Sequence, residues 1–286
     1  MRCAPPFKRY YVGLVAFKIE GAFGSRAVVG KHDAVVFGLL GREKGRACLF
    51  GQVLGDKDAV LCDADRIAQG AGQSLVTGAY LDKAENVRRQ ICLTLEEMNI
   101  QPESSHHEQG PGQNEVDFRY AEALEAADNF VTFKWVVKSM ASSSGLFASF
   151  LPKPLPHAPG SGLHLSVSIN KNGKNLFQPS FEESAEGQSF VAGILQRAAE
   201  MTIFCNPLTN SFQRLGEFEA PKYITWSHQN SRPLITVPLS EDSTAHRFKL
   251  RAFDGCINPY IVFALLIHAG LDGIEHRMVL PPPVNK

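Results

Sequence analysis

Apolar residues recur along this chain at two different spacings, and the change from one to the other marks out its elements. At 163–169, Leu163, Leu165, Val167 and Ile169 alternate with His164, Ser166 and Ser168, which predicts a strand with one apolar and one polar face. The stretch RFKLRAF alternates likewise, with Phe248, Leu250 and Ala252 on one face and Arg247, Lys249 and Arg251 on the other. Shorter strand-like runs fall at 34–40, 47–54, 59–62, 222–227 and 234–237, and Lys171-Asn172-Gly173-Lys174 reads as a hairpin turn. Helical spacing begins with Val87, Ile91, Leu95 and Met98, behind a capping-box pair at Asp82 and Glu85. Residues 117–140 predict a long helix with Phe118, Ala121, Leu124, Ala127, Val131 and Trp135 along one face. A further helix is expected at 190–204. A last one opens at Asn258-Pro259, a cap followed by proline at the first helical position, and ends at Gly270. The segments 100–115 and 142–162 read as loops, the second rich in Ser, Pro and Gly. Without strict βαβ alternation, the expected class is α+β, a mostly antiparallel sheet with helices on one side.

Composition narrows the function classes. The chain has 286 residues, 44% of them hydrophobic, enough for one large or two smaller domains. Lys plus Arg equals Asp plus Glu at 29 each, which gives no support to binding nucleic acid or a membrane surface. The six cysteines form no Cys-x-x-Cys pair, so neither a zinc ribbon nor a small disulfide scaffold fits, and a reducing, cytoplasmic setting is the simplest expectation. The longest apolar run, 260–271, is interrupted by His268 and falls short of the ~18 residues of a membrane span. The basic and then apolar start is followed by no clean small-residue cleavage site.

Three polar stretches are candidates for chemistry. In HHEQGPGQNE a Gly-Pro-Gly bend separates Glu108 from Glu115; the stretch is either a polar surface hairpin or a bend that gathers two carboxylates around a cation. Arg247, Lys249 and Arg251 in register repel one another unless an anion such as phosphate faces them, although a solvated edge strand carries charges too. Arg214 and Glu219 lie in NPLTNSFQRLGEFEAPKY, a loop too long and polar for a tight turn, which is either functional or an ordinary surface loop. PGSGLH lacks the Gly-Lys-Ser/Thr of a phosphate loop, and no Gly-x-Ser-x-Gly elbow occurs. His228, His246 and His268 read as core or surface residues rather than ligands.

From about Tyr80 to Asn285 these residues, in order, resemble the catalytic domain of type I glutamine synthetase. LDKAENVRRQICLTLEEMNIQPESSHHEQGPGQNEVDFRYAEALEAADNFVTFKWVV is similar to that family's helix, metal loop and following helix. LPKPLPHAPGSGLHLSVSINKNGKNLF resembles its His-bearing strand, NPLTNSFQRLGEFEAPKYITWSHQN its glutamate-closing loop, and NPYIVFALLIHAGLDGIE its late helix. The resemblance implies a curved, mostly antiparallel sheet with flanking helices. It also implies an ATP-dependent ligase that joins ammonia to glutamate through a γ-glutamyl phosphate, with two Mg²⁺ or Mn²⁺ ions neutralising the transferring phosphoryl group. By position, Glu108 and Glu115 resemble carboxylates of the first metal site and His164 the histidine of the second. Gly160 resembles the loop glycine that meets substrate glutamate, Arg214 the arginine on its carboxylate, and Glu219 the acid that closes the site and takes a proton from ammonium. Arg247 and Arg251 resemble phosphate-binding arginines, and Ser166 and Arg232 join the expected nucleotide site.

The resemblance also has gaps. The family's upstream Glu-x-Glu strand has no counterpart, since only Glu20 and Glu43 precede Glu85, and nothing around Asp63 and Asp65 matches. Lys249 stands where the family has the Glu of Arg-x-Glu-x-Arg, a second-metal ligand, and an ammonium repels a cation rather than ligating it. At an effective dielectric of ~20, one charge at ~4 Å amounts to roughly 4 kcal/mol. Either Lys249 ends second-metal occupancy, or it fills the metal's place as a fixed charge on a nucleotide phosphate. Thr236 replaces another phosphate arginine, and Arg232 is displaced by one position. Residues 1–78 match the family poorly and 79–286 form the expected catalytic domain, with no counterpart of the family's N-terminal domain or C-terminal helical region. Family members form double hexameric rings, so a lower-order assembly is expected here. Three readings follow: a ligase, a degenerate homologue that binds nucleotide or glutamate or modulates a complete synthetase, and a decayed product whose first 78 residues are foreign to the fold.

Overall fold

The computed structural model describes residues 84–110, 112–171, 174–228, 232–238 and 247–284, together with the backbone of N-terminal strands at β1 (Tyr10–Val15), β2 (Ala34–Glu43), β3 (Arg46–Leu49) and β4 (Gln52–Val53). The expected strand at 59–62, Asp82, His246 and the hairpin tip at 172–173 lie outside the described residues. Helix α1 (Glu85–Glu97) buries Val87, Ile91 and Leu95 as the periodicity requires, whereas Met98 stays 44% exposed at its C-cap. Its N-cap is Ala84, which supplies no side-chain cap.

The segment read as a loop at 100–115 is instead a hairpin, β5 (Pro102–His107) and β6 (Gln113–Phe118), paired antiparallel with His106 opposite Glu115. A two-residue strand, β7 (Ala121–Glu122), follows, so α2 (Ala123–Ser143) begins later than its pattern predicts. The expected apolar face of α2 is also wrong. Leu124 is 69% and Trp135 64% exposed, and the buried stripe is Ala126, Ala127, Phe130, Phe133, Val137 and Ala141. Two apolar stripes compete on this helix. The one that wins places Phe133 at 5.5 Å from Phe118 and 6.2 Å from Phe150, so aromatic packing across elements settles the rotation. Trp135→Lys is therefore expected to shift the unfolding free energy by no more than ~0.5 kcal/mol; a larger loss in urea denaturation would show that Trp135 is buried after all.

The loop expected at 142–162 contains a strand, β8 (Leu146–Ser149), and β9 (Leu163–Lys171) follows as predicted, with β10 (Lys174–Asn175) folding back on it. The remaining elements are α3 (Ala185–Cys205), a single turn α4 (Thr209–Phe212), β11 (Tyr223–Ser227), β12 (Pro233–Thr236), β13 (Phe248–Phe253) and α5 (Pro259–Glu275). Asn258 caps α5, its side chain accepting from Tyr260 and Ile261 N–H, and the helix runs through Gly270 to Glu275. It does so because Gly270 is needed inside the helix, where a Cβ would overlap the Phe190 ring.

The fold is α+β. One sheet runs β11-β12-β13-β9-β2-β3-β4, with β1 also on β9 and β6 and β8 on β2. Its described pairings are antiparallel except β11–β12, which is parallel. The apolar face of β9 and β13, carrying Leu163, Leu165, Val167, Phe248 and Leu250, is fully or nearly fully buried. Phe248 lies 5.8 Å from Phe177 and 6.0 Å from Phe190 of α3. The opposite face of the same strands is buried as well, and its side chains are polar: His164, Ser166, Lys249 and Arg251. That face carries the site.

Candidate functional site

The polar face is built from two walls. The first is the β5–β6 hairpin. Gly112 takes a left-handed φ of 66°, Glu108 N–H donates to Gln113 O at 2.8 Å, and Gln113 N–H donates to Gly110 O at 3.0 Å. The turn thus returns the chain so that His106 Nε2 stands 3.3 Å from Glu108 Oε1 and 3.6 Å from Glu115 Oε2. Alternation along β6 sends Gln113, Glu115 and Asp117 to this face and Val116 and Phe118 to the core. Ser104 Oγ donates to Asp117. One potential ligand atom from each of His106, Glu115 and Asp117 lies within 4.8 Å of the others. Burial pushes the Glu108 carboxyl up, but hydrogen bonds with His106, Glu115 and the Gln109 N–H outweigh it and hold the carboxyl below its usual range. Carboxylates crowded like this, with an imidazole among them, are a hard oxygen and nitrogen donor set that fits a divalent cation.

The second wall is β13. It pairs with β12 on one side and β9 on the other, so it is an interior strand and not a solvated edge. Thr236, Lys249 and Ser166 are directly opposite one another across β12, β13 and β9. Lys249 is 5% exposed and Arg251 2%, and Arg247, half-buried, immediately precedes the strand. His164 shares the face of Ser166 on β9, between the basic wall and the acidic one.

A third piece adjoins the acidic wall and His164. Glu108, Gly160, His164, Arg214 and Glu219 line one pocket of about 50 Å³ with Gln113, Glu217 and Phe218. Gly160 is required there, since a Cβ would lie 2.5 Å from Pro152 O and 2.7 Å from Arg214 Cγ. Arg214, 3% exposed, donates from Nη2 to Phe253 O at 2.9 Å and Ala252 O at 3.1 Å, pinning the end of β13. Burial pushes its pKa down to about 10, against the pull of the Asp254 carboxylate, so it stays charged at neutral pH. Glu219 sits half-buried on the closing loop, with Gln109 Nε2 at 3.5 Å from its Oε1. Buried Lys153 ties that loop down: its Nζ donates to Glu217 Oε2 at 2.5 Å and lies 4.8 Å from the centre of the Phe218 ring.

A family model described as the catalytic domain of glutamine synthetase matches residues 48–286. The chain belongs to the glutamine synthetase family. It is 46% identical over 218 residues to the glutamine synthetase of Staphylococcus aureus (strain N315), and 44% to that of Staphylococcus epidermidis (strain ATCC 12228 / FDA PCI 1200), covering 73% of this chain and 49% of each relative. The chain thus spans about half the length of these relatives. Among solved structures, Plasmodium falciparum glutamine synthetase superposes with a TM-score of 0.74 at 26% identity, covering 93% of this chain and 52% of that one. A complex of GmaS with ADP gives 0.71 at 26% identity, covering 97% of this chain and 58% of that one.

Of the residues expected from sequence, Glu108, Gly160, His164, Arg214 and Glu219 line the pocket, and His106 links Glu108 to Glu115. Ser166 and Lys249 lie in one row, with Arg251 further along β13 and Arg247 just before it, and none of these four lines the pocket. Arg232 is exposed at the far end of β12 from Thr236 and does not line the pocket. Sequence reasoning missed His106, Asp117 and Gln113. Gln113 is a clamp: its Oε1 accepts the Gly110 N–H at 2.9 Å and its Nε2 donates to Gly160 O at 3.0 Å, tying the hairpin to the glycine loop. The signal was the alternation Gln113, Glu115, Asp117, which becomes visible only once this stretch is read as a strand. No described helix is long and apolar enough to cross a membrane.

Proposed function

We propose that this chain is a ligase of its family's kind, joining ammonia to the side-chain carboxylate of glutamate with ATP as the activating phosphoryl donor, in a cytoplasmic setting. The observation that carries the reading is the meeting of Glu108, Gly160, His164, Arg214 and Glu219 in one pocket, which Gln113 of the acidic wall also lines, while the basic strand β13 pairs with the His164-bearing β9. On this reading His106, Glu108, Glu115 and Asp117 hold a divalent cation, which when bound neutralises phosphoryl charge. Arg247, Lys249 and Arg251 receive the phosphates as charge-assisted hydrogen-bond donors. The glycine at position 160 lets substrate approach the backbone, and Arg214 sets the far wall of the pocket and its positive charge. Glu219 stands at the mouth, where a carboxylate takes the proton that ammonium loses before the amine attacks. The closing loop, fastened by Lys153, keeps water from the acyl phosphate.

A second reading, a homologue that binds nucleotide without turnover, is favoured by one observation: buried Lys249 on the basic wall. Phosphate release measured with ATP, Mg²⁺, glutamate and ammonia separates the two. The ligase reading expects release that requires both glutamate and ammonia, and Glu219→Gln is expected to lower kcat about 100-fold or more, in the range of a lost general base. No release would leave the binding reading standing, and release independent of ammonia would count against both readings as an uncoupled hydrolysis of ATP.

A further inference from the structure

We propose that the site holds one divalent cation where the family resemblance implies two, and that the Lys249 ammonium grips a nucleotide phosphate directly in the second ion's stead. The inference rests on the nucleotide-binding part of the proposed function and deepens it. Lys249 is not on a surface where it could swing away. It is 5% exposed, on an interior strand, directly opposite Thr236 on one neighbour and Ser166 on the other. Directly opposed side chains in a sheet stand about 5 Å apart at Cβ. The row therefore places an ammonium between two hydroxyls, all of them groups able to donate to a phosphate oxygen. Arg251 lies on the same face of the strand and is 2% exposed. His164 is the nitrogen ligand next to this row on β9, and an ion placed beside it would face the ammonium and the guanidinium. Such a group of donors suits phosphate oxygens and not a cation.

The opposite wall has the complementary character. His106, Glu115 and Asp117 bring ligand atoms within 4.8 Å of one another, and Glu108 adjoins them. One ion fits there. A polyphosphate lying between the walls meets a cation on one side and fixed N–H donors on the other, so its charge is matched without a second ion. Binding of nucleotide should then persist, weakened, when the metal is removed.

The test counts ions and measures metal-free binding on the whole chain. Electron paramagnetic resonance of Mn²⁺ with a saturating non-hydrolysable ATP analogue is expected to show one tight ion per chain. Isothermal titration of the analogue in EDTA is expected to show saturable binding, and Lys249→Met to weaken it about 10- to 100-fold, the range for a charged hydrogen bond. Lys249→Glu, which supplies a carboxylate beside His164, is expected to raise the count to two. Two tight ions in the unaltered chain, or analogue binding that EDTA abolishes and Mn²⁺ restores, would overturn the inference and leave the proposed function in place. No analogue binding with or without Mn²⁺ removes both. The ion count and the EDTA titration use the unaltered chain, so they decide even if the Lys249 variants fail to fold.

Discussion

Replacing Glu115 by glutamine is expected to weaken Mn²⁺ binding at least about 100-fold while leaving the metal-free protein as stable as before, or more so. Glu115 has no exposed surface and sits on β6, an interior strand held between β5 and β2. An amide has nearly the same shape as the carboxylate, so the β6 backbone and the nearby His106 have no steric reason to move. The electrostatics differ. Glu108, Glu115 and Asp117 crowd one hairpin, where His106 and the hydrogen bond between Glu108 and Glu115 offset only part of their mutual repulsion in the absence of a cation. Removing one negative charge relieves that repulsion and takes a hard ligand from the ion. The two effects have opposite signs in one thermal-melting experiment. The unaltered chain should gain about 2.7 kcal/mol at a Mn²⁺ concentration 100 times its Kd, and Glu115→Gln should gain almost nothing from the same addition. If the variant keeps Mn²⁺ affinity within about tenfold, the acidic wall is not the cation site, and the proposed function loses its metal.

Why Glu115 could be singled out from sequence, while His106 and Asp117 could not, is a matter of period. Gly110 and Gly112 mark a bend in any reading, and carboxylates on both sides of a bend converge. The strand before it, PESSHH, is polar on both faces, so it shows no apolar alternation and passes for loop. With β5 unseen, His106 had no partner and Asp117 fell inside an expected helix. The row Thr236–Lys249–Ser166 was half legible: the alternation within RFKLRAF put Lys249 on the polar face, but only register shows which hydroxyls flank it. Register is a property of pairing between distant segments and leaves no mark within either strand. On α2 the difficulty was of another kind. Both candidate stripes are apolar, and which one is buried depends on Phe118 and Phe150, which lie on other elements.

Gly193→Ala is expected to destabilise the fold by about 2–3 kcal/mol, although alanine is the better helix former. Gly193 lies within α3, where glycine alone costs about 1 kcal/mol relative to alanine. If it were incidental, the substitution would stabilise the protein, so the sign of the change is decisive. The structure requires the opposite sign. A Cβ on Gly193 would overlap the Ala269 carbonyl oxygen and stand 2.8 Å from Gly273 Cα, and a Cβ on Gly273 would overlap Ser189 O. These obstacles are backbone atoms of two packed helices, and no rotamer change removes them. The extra methyl must push α3 and α5 apart, which loosens the contacts that bury Phe190, Ile194, Val262, Leu266 and Ala269. Urea denaturation with an unchanged m-value reads that loss directly. The crossing lies behind the apolar face of β9 and β13, and the ligands stand on the hairpin beyond. At temperatures where the variant remains folded, Mn²⁺ affinity should be unchanged. A Gly193→Ala variant that lost metal binding without losing stability would mean that the helix crossing sets the geometry of the acidic wall, a coupling that the separation of the two faces does not predict.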